Sequence, residues 1–176
     1  MIELLVGMAM MLVISGAVVS LFISMSKNQA RITKNADRVG DGRAALRGIV
    51  DDIRQGSVIT ATPKGEELKL KTYVHATSCA SAPSASAAAI LCAVTYQCAQ
   101  DGSKSTYFCT RTVEGRTATR IASGLSSNAI FTYSPSATTA ATYITVKLVY
   151  PATSGSYTTT LENGAALRNS ATNLSY

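Results

Sequence analysis

The chain has 176 residues, enough for one ordinary domain and an appendage; 47% of them are hydrophobic and 15% are charged. The net charge of +6 fits a soluble domain or attraction to anionic lipid headgroups, whereas nucleic-acid binding requires basic residues clustered on one face among aromatic residues. The basic residues of the later part of the chain include Lys69, Lys71, Lys104, Arg111, Arg116 and Arg120. They are spread over several segments, so a nucleic-acid partner is not favoured.

The first predicted element is a membrane-spanning helix. Residues Leu4 to Ile23 include no charged side chain, and about 20 apolar residues at about 1.5 Å each cross a bilayer core of about 30 Å. A cleaved signal peptide would instead have basic residues before a shorter apolar run and a cleavage site after it. Here Glu3 precedes the run, and the helical pattern continues beyond it. The sequence therefore predicts a transmembrane or fibre-core helix over residues 1–26.

The residues around Glu3 carry a family resemblance. The segment Ile2-Glu3-Leu4-Leu5-Val6, followed by a methionine-rich apolar stretch, resembles the N-terminal segment of type IV pilins and type II secretion pseudopilins. Mature chains of these families begin with a few apolar residues, a single invariant glutamate and a long hydrophobic helix. The resemblance implies a pilin-like fold and assembly with other pilin or pseudopilin subunits. It also implies an inner-membrane assembly platform and a prepilin peptidase as partners.

Glu3 has two interpretations. A carboxylate at the edge of a membrane span is costly to bury and normally requires a partner, although it can also remain in the headgroup region. The alternative is that Glu3 pairs with a positive group, such as the amino terminus of a neighbouring subunit, when the helices leave the lipid. Small residues would then let the helices approach one another. The predicted assembly residues are Glu3, Gly7 and Gly16, with Ala9 and Ala17 as further small positions.

The orientation in the membrane depends on a leader sequence. Prepilins start with a short basic leader that ends in glycine, whereas here Met1 stands directly before Ile2. Basic residues follow the span at Lys27, Arg31, Lys34 and Arg38, and the positive-inside rule alone would place them in the cytoplasm. A basic leader upstream of Met1 would restore the expected orientation. We then expect a single-pass protein of the cytoplasmic (inner) membrane with an extracytoplasmic head, and a periplasmic or extracellular filament after assembly.

Residues 27–56 continue the helix as an amphipathic spine. Apolar residues recur every seven positions, at Ile32, Val39, Leu46 and Ile53, and Ile49 and Val50 widen the stripe. A coiled coil would require about four such repeats, and Gly40 and Gly42 oppose one. We therefore expect the stripe to pack on a sheet, and the helix to stop at Gly56.

Residues 57–176 form the predicted β-rich head. The apolar residues there alternate with polar ones, as in half-buried strands, and Asp101-Gly102 is typical of a hairpin turn. The predicted strands are Leu68–Val74, Ala93–Ala99, Ser105–Val113, Thr117–Ala122, Ala129–Tyr133, Tyr143–Tyr150, Ser156–Glu162 and Ala165–Asn169. Residues Ser78 to Ala89 are predicted to form a surface loop. The fold class is α+β, with a long N-terminal helix packed on an antiparallel sheet.

Looser patterns in the spine and head resemble the J-type minor pseudopilins and the related minor type IV pilins. These patterns are Arg43-Ala-Ala-Leu-Arg47, Asp52-Ile-Arg54, Val94-Thr-Tyr96, Ile121-Ala-Ser and Leu167-Arg168-Asn169. The resemblance implies a minor subunit of a filament.

The four cysteines, Cys79, Cys92, Cys98 and Cys109, include no C-x-x-C and have no nearby histidine pair, which disfavours zinc. In a Ser/Thr-rich domain beyond a membrane span they suggest two disulfides in an oxidising compartment. Three pairings are possible, of which we favour the sequential one, Cys79–Cys92 and Cys98–Cys109. Four reduced thiols would instead require a cytoplasmic head.

No catalytic constellation is recognisable in the sequence. The single histidine, His75, shares a predicted strand with Lys71 and Tyr73, the carboxylates are scattered, and Asp51-Asp52 is expected to face solvent. Phosphate-binding glycine loops are also missing from the sequence. We predict a structural protein without catalytic activity, cofactor or metal. The alternative function is a single-pass adhesin or DNA-capture protein that is not built into a fibre.

Overall fold

The computed structural model describes residues 2–56, 58–59, 64–75, 79, 89–135, 141–152 and 158–167, and within α1 and β1 it describes the backbone but not the side chains of residues 2–5, 9, 31, 34, 58 and 59. In these ranges the elements are one helix and eight strands, all paired antiparallel, which confirms the α+β class. They are α1 (Ile2–Gln55), β1 (Val58–Ile59), β2 (Glu67–His75), β3 (Ala89–Gln100), β4 (Tyr107–Val113), β5 (Thr119–Leu125), β6 (Phe131–Ser134), β7 (Tyr143–Tyr150) and β8 (Thr159–Ala166). The chain divides into two compact units, Met1–Gly40 and Asp41–Tyr176.

The last turns of α1 supply the helical layer of the second unit's core. Leu46, Ile49, Val50 and Ile53 are buried, at the spacing of one helix face. The predicted stripe is shorter than expected, because Ile32 is 69% exposed. The helix ends at Gly56 as predicted, and the Gly56 N–H donates a hydrogen bond to the Ile53 carbonyl (3.0 Å).

Gly42 allows α1 to approach the sheet closely. It is buried, and a Cβ atom at this position would overlap the Tyr150 hydroxyl and lie 3.0 Å from Leu161 Cδ1. Gly48, by contrast, is exposed and has open space where a Cβ would stand. Of these two glycines, packing against the sheet therefore requires Gly42 and places no such requirement on Gly48.

The first sheet has the order β1-β2-β3-β4-β5. Alternation in β2 buries Leu68, Leu70 and Val74, as its period of two predicts. The predicted hairpin joins β3 and β4: Gln100 pairs with Tyr107, the Asp101 N–H donates to the Thr106 carbonyl (2.9 Å), and Gly102 has φ of +59°. A glycine suits that left-handed position because it lacks a Cβ.

The second sheet has the order β6-β7-β8, and β7 has the bounds and the buried face that its alternation predicts. Two predicted strands after it are wrong, because β8 runs unbroken from Thr159 to Ala166. Asn163 and Gly164 stay in register opposite Val146 and Thr145. The ring of Tyr143 lies over Gly164, covering the position where a side chain is missing. The predicted residues Ser156 and Asn169, and most of the loop Ser78 to Ala89, lie outside the described residues.

Backbone and side-chain hydrogen bonds join the two sheets. The Ser126 N–H donates to the Val149 carbonyl (2.8 Å), and the Phe131 N–H donates to the Gly65 carbonyl (2.9 Å). The Tyr133 hydroxyl donates to the Glu67 carbonyl (2.6 Å). In the second unit, the last turns of α1 and the two linked sheets therefore share one hydrophobic core.

Candidate functional site

The first part of α1 presents apolar side chains to its surroundings on every side. We define the apolar segment as Val6–Met25; its described side chains are all exposed, up to 75% at Met11 and Leu12. A window of 18 residues has a mean hydropathy of 2.4, and none of it is buried within the chain. This helix is therefore long and apolar enough to cross a membrane. Burying a large apolar side chain gains about 1.5–3 kcal/mol, so this surface is stable only with lipid or protein around it.

The surface of the apolar segment is grooved. A shallow depression is lined by Val6, Met10, Val13 and Ile14, whose spacing places them along one side of the helix. Rows of side chains at this spacing form the ridges and grooves through which helices interlock. The lining of this depression is apolar.

The two predicted assembly glycines lie apart on the helix surface. None of the atoms that the structure describes lies within 4 Å of the place where a Cβ would stand at Gly7 or at Gly16. They are nine positions apart, a rotation of about 180° at 3.6 residues per turn, so they lie on opposite sides of α1. The structure therefore does not bring them together. Each marks a place where a different neighbouring helix could approach closely.

Glu3 lies in the first turn of α1, and its side chain is outside the described part of the chain. A carboxylate in a first turn is favoured there, because the N-terminal end of a helix carries partial positive charge. The pairing of Glu3 with a neighbouring subunit stays a prediction.

Two disulfides hold the head, in the sequential pairing. Cys79 is bonded to Cys92, and Cys98 on β3 is bonded to Cys109 on β4. Cys98 and Cys109 face one another in the register of the two strands, with Cα atoms 4.1 Å apart. The Cys98 N–H donates to the Glu66 carbonyl (2.9 Å), away from β4. The cysteines therefore occupy a pair of positions without mutual backbone hydrogen bonds, where opposing side chains are closest.

One group of side chains among the described residues has the spacing of metal ligands. It consists of Cys79, Cys92 and Glu114, whose ligand atoms lie within 4.8 Å of one another. Both sulfurs are in the disulfide and cannot act as thiolate ligands. The group therefore does not fit a metal ion, and the absence of a catalytic centre or cofactor remains a prediction.

A charged network that the sequence did not reveal joins α1 to the first sheet. Asp52 was expected to face solvent, but its side chain is only 15% exposed. The Arg111 Nε–H donates to Asp52 Oδ2 (2.9 Å), and the Tyr96 hydroxyl donates to the same oxygen. Arg111 Nε also lies 3.1 Å from Tyr96 Oη. One carboxylate on the helix thus holds one side chain from β3 and one from β4.

Tyr96 and Arg111 each keep one protonation state in this network. Burial, followed by the charge of Asp52 and its hydrogen bond, raises the pKa of Tyr96 far above its usual value, so the hydroxyl stays protonated. Burial by itself would lower the pKa of Arg111, but the hydrogen bond and charge of Asp52 outweigh it and the pKa is raised. Both groups are fixed in one protonation state, which suits a clamp and not proton transfer.

The sequence contained a weak signal for this network. Asp52 belongs to the Asp52-Ile-Arg54 pattern and Tyr96 ends the Val94-Thr-Tyr96 pattern. Asp52 directly precedes the buried Ile53, so its position on the flank of the buried face was readable. Its partners were not, because they are 44 and 59 residues away in the chain.

Comparisons with known protein families, with curated proteins and with solved structures find no match to this chain. The features of the chain that bear on its function are the apolar segment, the disulfide-bonded head and the sequence pattern around Glu3.

Proposed function

We propose that the chain is a structural subunit of a pilin-like filament, of the minor pilin or pseudopilin kind, which one helix anchors in a membrane until it assembles. The observation that carries this proposal is the apolar segment Val6–Met25, whose described side chains are all exposed. It belongs to the same unbroken helix whose last turns form part of the core of a folded head. An element that is apolar on every side requires either lipid or like helices around it.

Assembly would transfer the apolar segment from lipid into a bundle of such helices. Lipid chains are as apolar as leucine, so the hydrophobic effect alone does not favour this transfer. Close packing between the helices would have to supply the favourable free energy. Gly7 and Gly16, with open space around them on opposite sides of α1, would each admit a neighbouring helix. A subunit with two such sides can contact two neighbours and extend a filament.

Glu3 would set the register of this packing. An unpaired carboxylate in an apolar bundle is costly, and a neighbour's terminal ammonium group at the same level would neutralise it. Helices that slip along one another would lose this pair, so the correct stagger is favoured over others.

The head would lie outside the cytoplasm. Its two disulfides fit an oxidising compartment, where such bonds persist. The resemblance to pilins adds the inner-membrane assembly platform and the prepilin peptidase as partners. The charge pattern on the described strands supports no nucleic-acid surface, so DNA binding is not part of the proposal.

The decisive experiment replaces Glu3 with alanine in the full chain, expressed in its own cells in place of the native copy. We expect the Glu3→Ala chain to remain in the membrane with both disulfides formed, but to be depleted from sheared filaments. Glu162→Ala, at an exposed position on β8, is the matched acid-to-alanine control and should assemble normally.

Normal incorporation of the Glu3→Ala chain would contradict the proposed register mechanism. A native chain that stays in the membrane and never enters sheared filaments would contradict the filament proposal itself. That second result would favour the alternative of a single-pass adhesin or capture protein.

A further inference from the structure

The helical turns that follow the apolar segment carry a line of basic residues. Lys27, Arg31, Lys34 and Arg38 follow one another at intervals of four, three and four residues within α1. At 3.6 residues per turn these positions lie within an arc of about 60° of the helix surface. The single acidic residue between Ser26 and Gly40, Asp37, is about 90° from the centre of that arc. We call these four residues the basic stripe.

The basic stripe begins where the helix would leave a bilayer. Lys27 is two residues beyond Met25, which ends the apolar segment, and Arg38 is about 17 Å further along the helix at 1.5 Å per residue. The headgroup layers add roughly 5–8 Å on each side of the hydrocarbon core, so Lys27 and Arg31 come within or next to that layer. Membrane helices are tilted by about 20° on average, and tilting toward the stripe brings Lys34 and Arg38 closer to the surface.

The charge of the stripe selects the chemistry of its partner. Lysine and arginine both bind phosphate, arginine through two parallel hydrogen bonds and lysine as a compact charge. Basic segments next to a membrane span are attracted to surfaces that contain anionic lipids, and each residue contributes separately. Four such residues on one side of a helix would draw that side, and not the others, toward an anionic membrane surface.

We propose that the basic stripe binds the phosphate groups of anionic phospholipids at the membrane surface from which α1 emerges. This proposal rests on the membrane anchoring in the proposed function but not on filament assembly. Binding along one side fixes both the direction in which α1 tilts and its rotation about its own axis. A subunit that leaves the membrane gives these contacts up, so the lipid charge and the salt concentration tune its release.

The chain offers a clean optical test because it has no tryptophan. Ala30 is exposed and lies about 70° from the centre of the stripe, whereas Ile32 is exposed and lies about 130° from it. Ala30→Trp and Ile32→Trp, each in the otherwise native full chain, place a single reporter on either side. Each protein is reconstituted into vesicles of phosphatidylcholine alone, or of phosphatidylcholine with added phosphatidylglycerol, and its tryptophan emission and quenching by acrylamide are measured.

We expect the emission of Ala30→Trp to shift to shorter wavelength, with weaker quenching, only in vesicles that contain phosphatidylglycerol. The Ile32→Trp protein should show a smaller shift. High salt should reverse the shift, because screening weakens attraction between exposed charges. Changing all four stripe residues to glutamine should abolish it. Changing Arg43, Arg47, Arg54 and Arg116, four exposed arginines of the second unit, to glutamine removes the same number of charges and should preserve the shift.

Three results would overturn the proposal. Equal tryptophan emission in the two kinds of vesicle would show that the charge of the lipid does not affect the position of the stripe. The same shift on adding inorganic phosphate to phosphatidylcholine vesicles would show a general anion site. A shift that follows the protein-to-lipid ratio instead of the phosphatidylglycerol content would assign the stripe to contacts between copies. Flotation with phosphatidylcholine vesicles separately tests the anchor, so a protein that floats but shows no charge-dependent shift refutes the stripe alone.

Discussion

Replacing Asp52 with alanine tests whether its largely buried carboxylate holds the last turns of α1 on the first sheet. The change leaves the Arg111 guanidinium and the Tyr96 hydroxyl without their shared acceptor. Removing one partner of a fully buried ion pair costs about 3–5 kcal/mol. The Arg111 side chain keeps 31% exposure, so water relieves part of the loss, and we expect about 2–3 kcal/mol less free energy of unfolding.

The assay is urea unfolding of the full chain in detergent micelles with both disulfides intact, followed by near-ultraviolet circular dichroism. Asp51→Ala is the matched control: it is the preceding residue of the same helix, and its ion pair with Arg54 has side chains that are 63% and 54% exposed. That change should alter the free energy of unfolding by less than about 0.5 kcal/mol. The slope against urea should stay constant, because neither change affects the surface exposed on unfolding.

A second substitution separates the network from a general loss of packing. Adding Arg111→Met to Asp52→Ala removes the unpaired guanidinium, so part of the lost stability should return. Equal urea midpoints for the Asp51 and Asp52 alanine variants would refute the reasoning, since the two carboxylates would then be equivalent despite their different environments.

Three further predictions concern packing, an unpaired hydroxyl and pH. Gly42→Ala should lower the free energy of unfolding by about 1–3 kcal/mol, because the added methyl group overlaps the hydroxyl of Tyr150 on β7. Gly48→Ala should raise the free energy of unfolding by about 0.5–1 kcal/mol, because alanine favours the helix more than glycine does. Thermal melts of the two variants test both predictions. Thr72→Val should raise the free energy of unfolding by about 1–2 kcal/mol in urea, because the buried Thr72 hydroxyl has no hydrogen-bond partner among the described residues, and a lower midpoint would refute this. Burial raises the pKa of Tyr96 and of Tyr133 in the fold, whereas unfolded tyrosine titrates near about 10. The folded chain therefore holds more protons above pH about 10, so this stability is complete below that pH and declines above it. Urea midpoints across this range should fall less steeply in Tyr96→Phe and Tyr133→Phe.

The two units of the chain differ in how their apolar side chains are kept from water. The core of the second unit is closed by helix turns, two sheets and two disulfides, and its apolar residues are buried by other parts of the same chain. The described side chains of the apolar segment in the first unit are all exposed. The proposed function therefore places lipid or other subunits around the apolar segment.

Local sequence patterns were sufficient for the elements whose periodicity is unambiguous. The uncharged run after Glu3 predicted a continuous helix, the alternation from Tyr143 to Tyr150 predicted β7 within its observed bounds, and Asp101-Gly102 predicted the hairpin between β3 and β4. Gly56 was also recognisable as a helix stop. These features depend on residues that are neighbours in the chain, so their physical causes are all present in a short window.

Contacts between distant segments decided the rest. The exposure of Ile32, the burial of Asp52 beside Arg111 and the need for glycine at position 42 depend on where the sheets meet α1. Asn163-Gly164 looked like a break between strands, yet the ring of Tyr143 supports it within β8. Periodicity indicates which face of an element avoids water, but not which remote residue covers that face, because the covering residue is chosen by the packing of the whole chain.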